Sequence, residues 1–97
     1  MIQAKDLQLD LNDSGIFFTG TYQPWQKIQK DIVNGDNATL KKDEIDIEVQ
    51  NLKRNLDGTY TGVVQYVDPY QALSKEGVEE GVEIGFMHKH IFASSHR

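Results

Sequence analysis

The feature that constrains the fold most is a turn between two stretches of strand-forming residues. Residues 55–58 read Asn-Leu-Asp-Gly, and an Asp-Gly pair is a strong signal for a tight hairpin turn. Before this turn, apolar and polar residues alternate over residues 45–50, as in a strand with one buried face, and Leu52 is out of phase and indicates a bulge. Residues 59–67 carry apolar side chains on both faces, which is typical of an interior strand. The sequence therefore predicts a hairpin at the centre of an antiparallel sheet.

Alternation also predicts strands outside this hairpin. Residues 6–12 alternate between leucine and polar side chains, and a short turn leads from them into residues 16–22, which are rich in β-formers. We therefore expect these two stretches to form a first hairpin. Residues 82–86 alternate again and predict the last strand. Residues 36–43 are predicted to be a polar connecting loop, and residues 93–97 a polar tail.

One short helix is predicted between the two hairpins. Pro24 fits the first position of a helix, and Trp25, Ile28 and Ile32 follow at spacings of three and four residues. An Asn-Gly pair just after them provides a stop. These spacings indicate an amphipathic helix whose apolar side covers the sheet.

Residues 1–97 are expected to form a single domain, because the chain has the usual length of one domain. The predicted fold class is α+β: a mainly antiparallel sheet of about five strands, open or barrel-like, with one short helix packed on it. Its elements follow the order β-β-α-β-β-β. The predicted core consists of the inward-facing residues of these elements: Leu7, Leu9, Leu11, Phe18, Trp25, Ile28, Ile32, Ile45, Ile47, Val49, Val64, Ile84 and Phe86.

Composition excludes several kinds of site. The chain has 15 acidic and 10 basic residues, and its formal net charge of -5 disfavours a nucleic-acid partner. The absence of cysteine excludes disulfides, thiolate metal sites and cysteine nucleophiles. No apolar run reaches the ~18 residues of a membrane span, and residues 1–6 reach an acidic side chain before any apolar run. We therefore expect a cytoplasmic protein with no membrane partner and no cofactor.

Candidate binding residues are of two kinds, aromatic and acidic. Tyr and Trp dominate the hot spots of protein interfaces, and acidic side chains can dock on a basic protein surface. For Trp25, a place in the core between helix and sheet is favoured over an exposed one. Alternation puts the two acidic candidates on the solvent side of a strand, where we expect solvation rather than catalysis. The candidate residues are Phe17, Trp25, Tyr60, Tyr70, Asp46 and Glu48.

His88 and His90 are the metal-like feature of the sequence. They are two residues apart, so on an extended strand both imidazoles would project from one side. No carboxylate follows Glu83 to complete such a site or to orient a ring. We therefore expect no metal, and keep this pair only as a candidate for a ligand pocket.

The motifs of catalysis are missing from the sequence: there is no phosphate-binding glycine loop and no nucleophile elbow. The sequence therefore favours a non-enzymatic protein-binding module, with another protein or a second copy in a homodimer as partner. One alternative is a phage or mobile-element inhibitor that presents an acidic, nucleic-acid-mimicking surface. Another is a small ligand-binding protein or enzyme that uses His88 or His90.

Overall fold

The described part of the chain, residues 1–19 and 32–95, forms a mixed β-sheet with little helix in the computed structural model. Its strands are β1 (Ile2–Gln3), β2 (Phe17–Thr19), β3 (Asn37–Lys42), β4 (Ile45–Arg54), β5 (Tyr60–Asp68), β6 (Glu83–Phe86) and β7 (Ala93–Ser95). These seven strands lie in the order β1-β6-β5-β4-β3-β7-β2. The pairs β1–β6 and β2–β7 are parallel, and the other pairs are antiparallel. The chain is thus an α+β protein with more strands than predicted, and no described pairing closes its edges into a barrel.

The central hairpin is confirmed. β4 and β5 pair antiparallel, and the predicted Asn-Leu-Asp-Gly turn connects them, with Gly58 at a φ of 86°. The predicted bulge is also present: the register shifts between Gln50 and Lys53, and Asn51 has a φ of 56°. This extra residue turns Leu52 inward, where it is buried. The bulge therefore keeps Leu52 in the core together with Ile47 and Val49 in spite of the phase change.

The predicted loop at residues 36–43 is wrong, because it contains β3. Ala38 and Leu40 are buried, and Thr39 between them points to the other face of the sheet. The two inward residues are enough to anchor the strand, since Leu40 is fully enclosed opposite Ile47 of β4. The polar outward residues had hidden this alternation in the sequence.

The predicted first hairpin is also wrong in the described residues. Residues 6–12 are not a strand. The first two of them belong to the helix α1 (Ala4–Leu7), and Gln8 then turns the chain with a φ of 55°. Leu9 is buried, whereas Leu11 is 53% exposed, so the leucines do not share one face. A left-handed residue inside the alternating stretch breaks the extended conformation that the pattern requires.

β2 pairs with the C-terminal strand β7 instead of with residues 6–12. Phe17 lies opposite Ala93 in a parallel register, and its N–H donates to the Phe92 carbonyl at 3.0 Å. The Ser94 hydroxyl donates to the Asn37 carbonyl at 2.8 Å. The predicted polar tail therefore contains a strand, whose small side chains fit between β2 and β3.

Helices contribute little to the described chain. Besides α1, the structure has two short 3-10 helices, Ser74–Glu76 and His88–His90. The predicted helix at residues 24–32 lies outside the described residues, apart from Ile32, which is buried. Within residues 1–19 and 32–95, no helix has the length and apolar character needed to cross a bilayer.

The core gathers on one face of the sheet, as the alternation predicted. The predicted members found buried are Leu9, Ile32, Ile47, Val49, Val64, Ile84 and Phe86. Leu7, Phe18 and Ile45 pack against this cluster while partly exposed. The prediction that Leu11 is buried is wrong, since Leu11 is exposed. Trp25 and Ile28 lie outside the described residues. Buried apolar residues that the pattern did not select are Ala4, Ala38, Leu40, Leu52, Tyr60, Val67, Leu73, Val78 and Ile91.

Candidate functional site

A row of side chains crosses five strands on the face of the sheet opposite the core. The strand registers place Phe17 of β2 beside Ala93 of β7, Ala93 beside Thr39 of β3, Thr39 beside Glu48 of β4, and Glu48 beside Tyr66 of β5. Because successive side chains alternate between the faces of a sheet, these residues point away from the buried partners that precede and follow them. We call Phe17, Ala93, Thr39, Glu48 and Tyr66 the outer row.

Both ends of the outer row are aromatic and uncovered. Phe17 is 70% exposed and Tyr66 is 52% exposed. A single exposed aromatic ring is common on protein surfaces, but two rings joined by one continuous row of strand residues offer an extended contact surface. The structure thus brings the predicted candidates Phe17 and Glu48 into one surface with Tyr66.

Glu48, next to Tyr66 in the outer row, has an unusual environment. Partial burial raises the pKa of its carboxyl group, and the nearby charge of Asp46 raises it further. The Thr39 hydroxyl opposes this effect by donating to the carboxylate at 2.8 Å, as does the charge of Lys41. The predicted acidic pair is therefore only half in solvent: Asp46 forms an ion pair with Lys41 at 3.6 Å, while Glu48 is partly desolvated.

Negative charge concentrates around Tyr66. The carboxylate of Glu48 is the main cause that raises the pKa of the Tyr66 hydroxyl, followed by desolvation and by the charges of Asp68 and Asp46. Asp68 and Asp46 lie opposite each other on β5 and β4. We call Asp46, Glu48 and Asp68 the acidic patch. Its field would favour a positive group near the Tyr66 ring.

A concave site lies on the other side of Tyr66. We call it the Tyr66 pocket; it has a volume of about 280 Å³. Two tyrosines line it, and Tyr70 is 86% exposed. Its apolar lining comes from the buried residues Val67 and Val78, and its charged lining from the exposed residues Glu79 and Glu80.

The aromatic candidates do not form one cluster. Tyr60 is 2% exposed, and its ring stacks on that of Phe86 with a centroid distance of 5.9 Å, so it belongs to the core. Phe17 lies on β2 at one edge of the sheet, whereas Tyr70 follows β5. Trp25 lies outside the described residues. Only Phe17 and Tyr70 of the four therefore contribute exposed rings among the residues described.

His88 and His90 do not converge on a site. They lie in a 3-10 helix instead of on an extended strand, so one is exposed and the other is buried. The His90 Nδ1 accepts the Met87 N–H at 2.9 Å, and burial together with the charge of Lys89 lowers the pKa of this imidazole. In the part of the chain that the structure describes, no group of three or more His, Cys, Asp or Glu side chains could hold a metal ion.

Sequence reasoning missed Tyr66, Asp68, Glu79 and Glu80. The predicted β5 strand contained Tyr66, but the alternation alone did not show which residue of β4 would lie opposite it. A second register shift, between Glu48 and Val49, sets this partner. Glu79 and Glu80 were missed because nothing in the sequence showed that Tyr70 would lie near them.

The acidic patch and the Tyr66 pocket meet at Tyr66, and together with the outer row they offer aromatic contact and negative charge. Comparison of the chain with protein-family models, with curated proteins and with solved structures finds no significant match.

Proposed function

We propose that this protein is a non-enzymatic protein-binding module whose outer row and acidic patch contact a basic segment of another protein. The observation that carries this proposal is the outer row itself, with an exposed aromatic ring at each end and a carboxylate between them. Interfaces draw most of their binding energy from a few aromatic anchors, and complementary charge sets their orientation.

Charge favours a different protein over a second copy as the partner on this face. A two-fold contact centred on Glu48 would bring the acidic patches of both copies together, and like charges at an interface oppose association. Only one of its carboxylates, that of Asp46, is paired with a described lysine, Lys41. A basic segment would neutralise the other two.

The acidic patch also bears on the nucleic-acid-mimicking inhibitor. Such an inhibitor would bind the basic groove of a nucleic-acid-binding protein and would compete with nucleic acid for it. The alternative built on His88 or His90 has only His90 beside a cavity, one of about 110 Å³, while His88 is exposed and does not line it. Adding DNA to the calorimetric titration described below separates the two: DNA should displace a mimic from its partner, and should not displace a module that binds another kind of basic segment.

The test uses the full chain, tagged, and extracts of its source organism. Proteins retained by the wild type are compared with those retained by Phe17→Ser and Tyr66→Ser. The matched control is Leu56→Ser, since Leu56 is an exposed apolar residue at the tip of the β4–β5 turn, away from the outer row. A retained protein is then purified and titrated against all four chains by calorimetry.

We expect a partner whose dissociation constant rises about tenfold or more for Phe17→Ser or Tyr66→Ser, as for an interface hot spot, and stays within about twofold for Leu56→Ser. Binding should weaken with added salt, because exposed charges are screened. The proposal is overturned if no protein is retained, or if the variants of the outer row bind the purified partner as tightly as the control does.

A further inference from the structure

We infer that the Tyr66 pocket binds one arginine side chain of the partner's basic segment. This inference rests on the proposed protein-binding function and names the group that the module recognises. Two features of the pocket carry it: a pair of exposed tyrosines and a pair of glutamates in one concavity, with no basic residue among the described residues that line it.

The aromatic lining suits a flat cation. A guanidinium group stacks on aromatic faces, and each exposed ring strengthens binding by roughly two- to fivefold through its cation–π interaction. Tyr66 and Tyr70 are 52% and 86% exposed, so both rings are accessible to a ligand. Val67 and Val78 supply apolar surface for the methylene groups that precede the guanidinium.

The charged lining supplies the counterpart of the guanidinium. Glu79 and Glu80 are exposed and line the same pocket. The acidic patch adds to their field on the far side of Tyr66, where its carboxylates raise the pKa of the hydroxyl. From Tyr66 through Glu83 the sequence has five acidic residues and a single basic one, Lys75. A neutral or anionic ligand would find no complementary charge there.

Size distinguishes a side chain from a cofactor. The volume of about 280 Å³ is at the lower limit of small-molecule sites, which span about 300–1,000 Å³. An arginine side chain also matches the pocket better than lysine does, because guanidinium is planar, forks toward carboxylates and loses less hydration than an ammonium group. We therefore assign the pocket to arginine and treat lysine as the comparison.

The experiment titrates the purified full chain with the peptide acetyl-Gly-Gly-Arg-Gly-Gly-amide, followed by NMR shifts and calorimetry. The same peptide with citrulline in place of arginine keeps the shape and removes the charge. A lysine peptide tests the preference for guanidinium. The variants are Tyr70→Ala and the double variant Glu79→Gln, Glu80→Gln. Glu76→Gln is the control for a change of surface charge, because Glu76 is exposed and does not line the pocket.

We expect millimolar or tighter binding of the arginine peptide, with shifts centred on Tyr66 and Tyr70, and binding about threefold or more weaker for the lysine peptide. Tyr70→Ala should weaken it about threefold or more, and the double variant about fivefold or more, while Glu76→Gln stays within about twofold. All these side chains are exposed, so the variants should fold, and a thermal melt checks this.

Equal binding of the citrulline peptide, or no loss of binding in the double variant, would overturn the assignment to arginine. Failure of the protein-binding function gives a different result. If the arginine peptide fails to bind but a purified partner still depends on Phe17, only the pocket assignment fails. If the peptide binds and no partner depends on the outer row, only the proposed function fails.

Discussion

The Thr39 hydroxyl donates a 2.8 Å hydrogen bond to the Glu48 carboxylate, which lies directly opposite it on the neighbouring strand. This bond favours the charged form of Glu48, whereas partial burial and the charge of Asp46 favour the neutral form. Burial is the largest of these effects, so the pKa of Glu48 lies above its ordinary value of 4.5. The Glu48 carboxylate, beside the Tyr66 end of the outer row, is therefore held there at some cost to stability.

Replacing Glu48 by Gln should change how stability depends on pH. A carboxyl group whose pKa is raised by folding stabilises the folded state below its ordinary pKa of 4.5, and this contribution is lost as the pH rises through the folded value. Glu48→Gln should therefore gain stability relative to the wild type between about pH 4 and pH 7, by a few tenths of a kcal/mol because the group is half in solvent. Urea unfolding at several pH values measures this, with the exposed Glu44→Gln as control. A difference that stays constant with pH would contradict it.

The two leucines that follow α1 should respond very differently to truncation. Leu9 is 5% exposed and Leu11 is 53% exposed, although simple alternation would give them the same environment. Leu9→Ala should cost about 2–5 kcal/mol of unfolding free energy, the usual range for a buried leucine. Leu11→Ala should cost less than about 1 kcal/mol. Chemical denaturation of both variants measures these two losses of unfolding free energy. Equal losses would mean that both leucines lie on one buried face, as the predicted strand requires.

Gly62 should not tolerate a side chain. A Cβ atom at this position would lie 2.2 Å from the Val49 Cγ1 and 3.3 Å from the Gln50 carbonyl oxygen. Gly62→Ala should therefore destabilise the protein by about 1–3 kcal/mol, as overpacking does. Combining it with Val49→Ala removes the closest contact, so the double variant should lose less stability than the two single losses added together. Strict additivity in thermal melts would show that the two residues do not touch.

His90 should make the protein less stable in mild acid. Its pKa is lowered in the folded protein, chiefly by burial, so the unfolded chain takes up a proton first as the pH falls below the ordinary value of 6.5. The stability that the neutral imidazole provides is present above that pH and is lost as the pH falls through the folded pKa. The free energy of unfolding, measured from about pH 7.5 to pH 5.5, should thus fall more steeply with decreasing pH for the wild type than for His90→Asn. The asparagine keeps an acceptor for the Met87 N–H. His88→Asn, at the exposed histidine, serves as the control, and an unchanged slope for His90→Asn would contradict the prediction.

The central hairpin could be predicted from the sequence because its information is local. The turn at residues 55–58 fixes which strands are neighbours, and alternation fixes which face is buried. Even the bulge at Leu52 was visible as a change of phase. β3 was missed because only two of its residues, Ala38 and Leu40, are apolar and buried. The polar residues of the same stretch resemble a loop until the pairing of β3 with β4 is known.

The errors at the two ends of the sheet have a different origin. Residues 6–12 alternate well, but the left-handed Gln8 ends α1 and redirects the chain, and no propensity marks glutamine for that conformation. β2 finds its partner in β7, far along the sequence, so no local pattern pairs Phe17 with Ala93. The same holds for the candidate site. Its acidic and aromatic residues can be read from the sequence one by one, but their closeness to Tyr66 depends on the strand register, which the sequence pattern does not show.

The pairing of β2 with β7 also dictates the order in which this surface can assemble as the protein is made. Strands β3, β4 and β5 are consecutive, so their hairpins can form as soon as they leave the ribosome. Among the described strands, β2 has only β7 as a neighbour, and most of the chain lies between Phe17 and Ala93. β2 therefore cannot pair with β7 until residues 93–95 have been synthesised. The nascent chain forms its central hairpins well before its outer row is complete and can bind a partner.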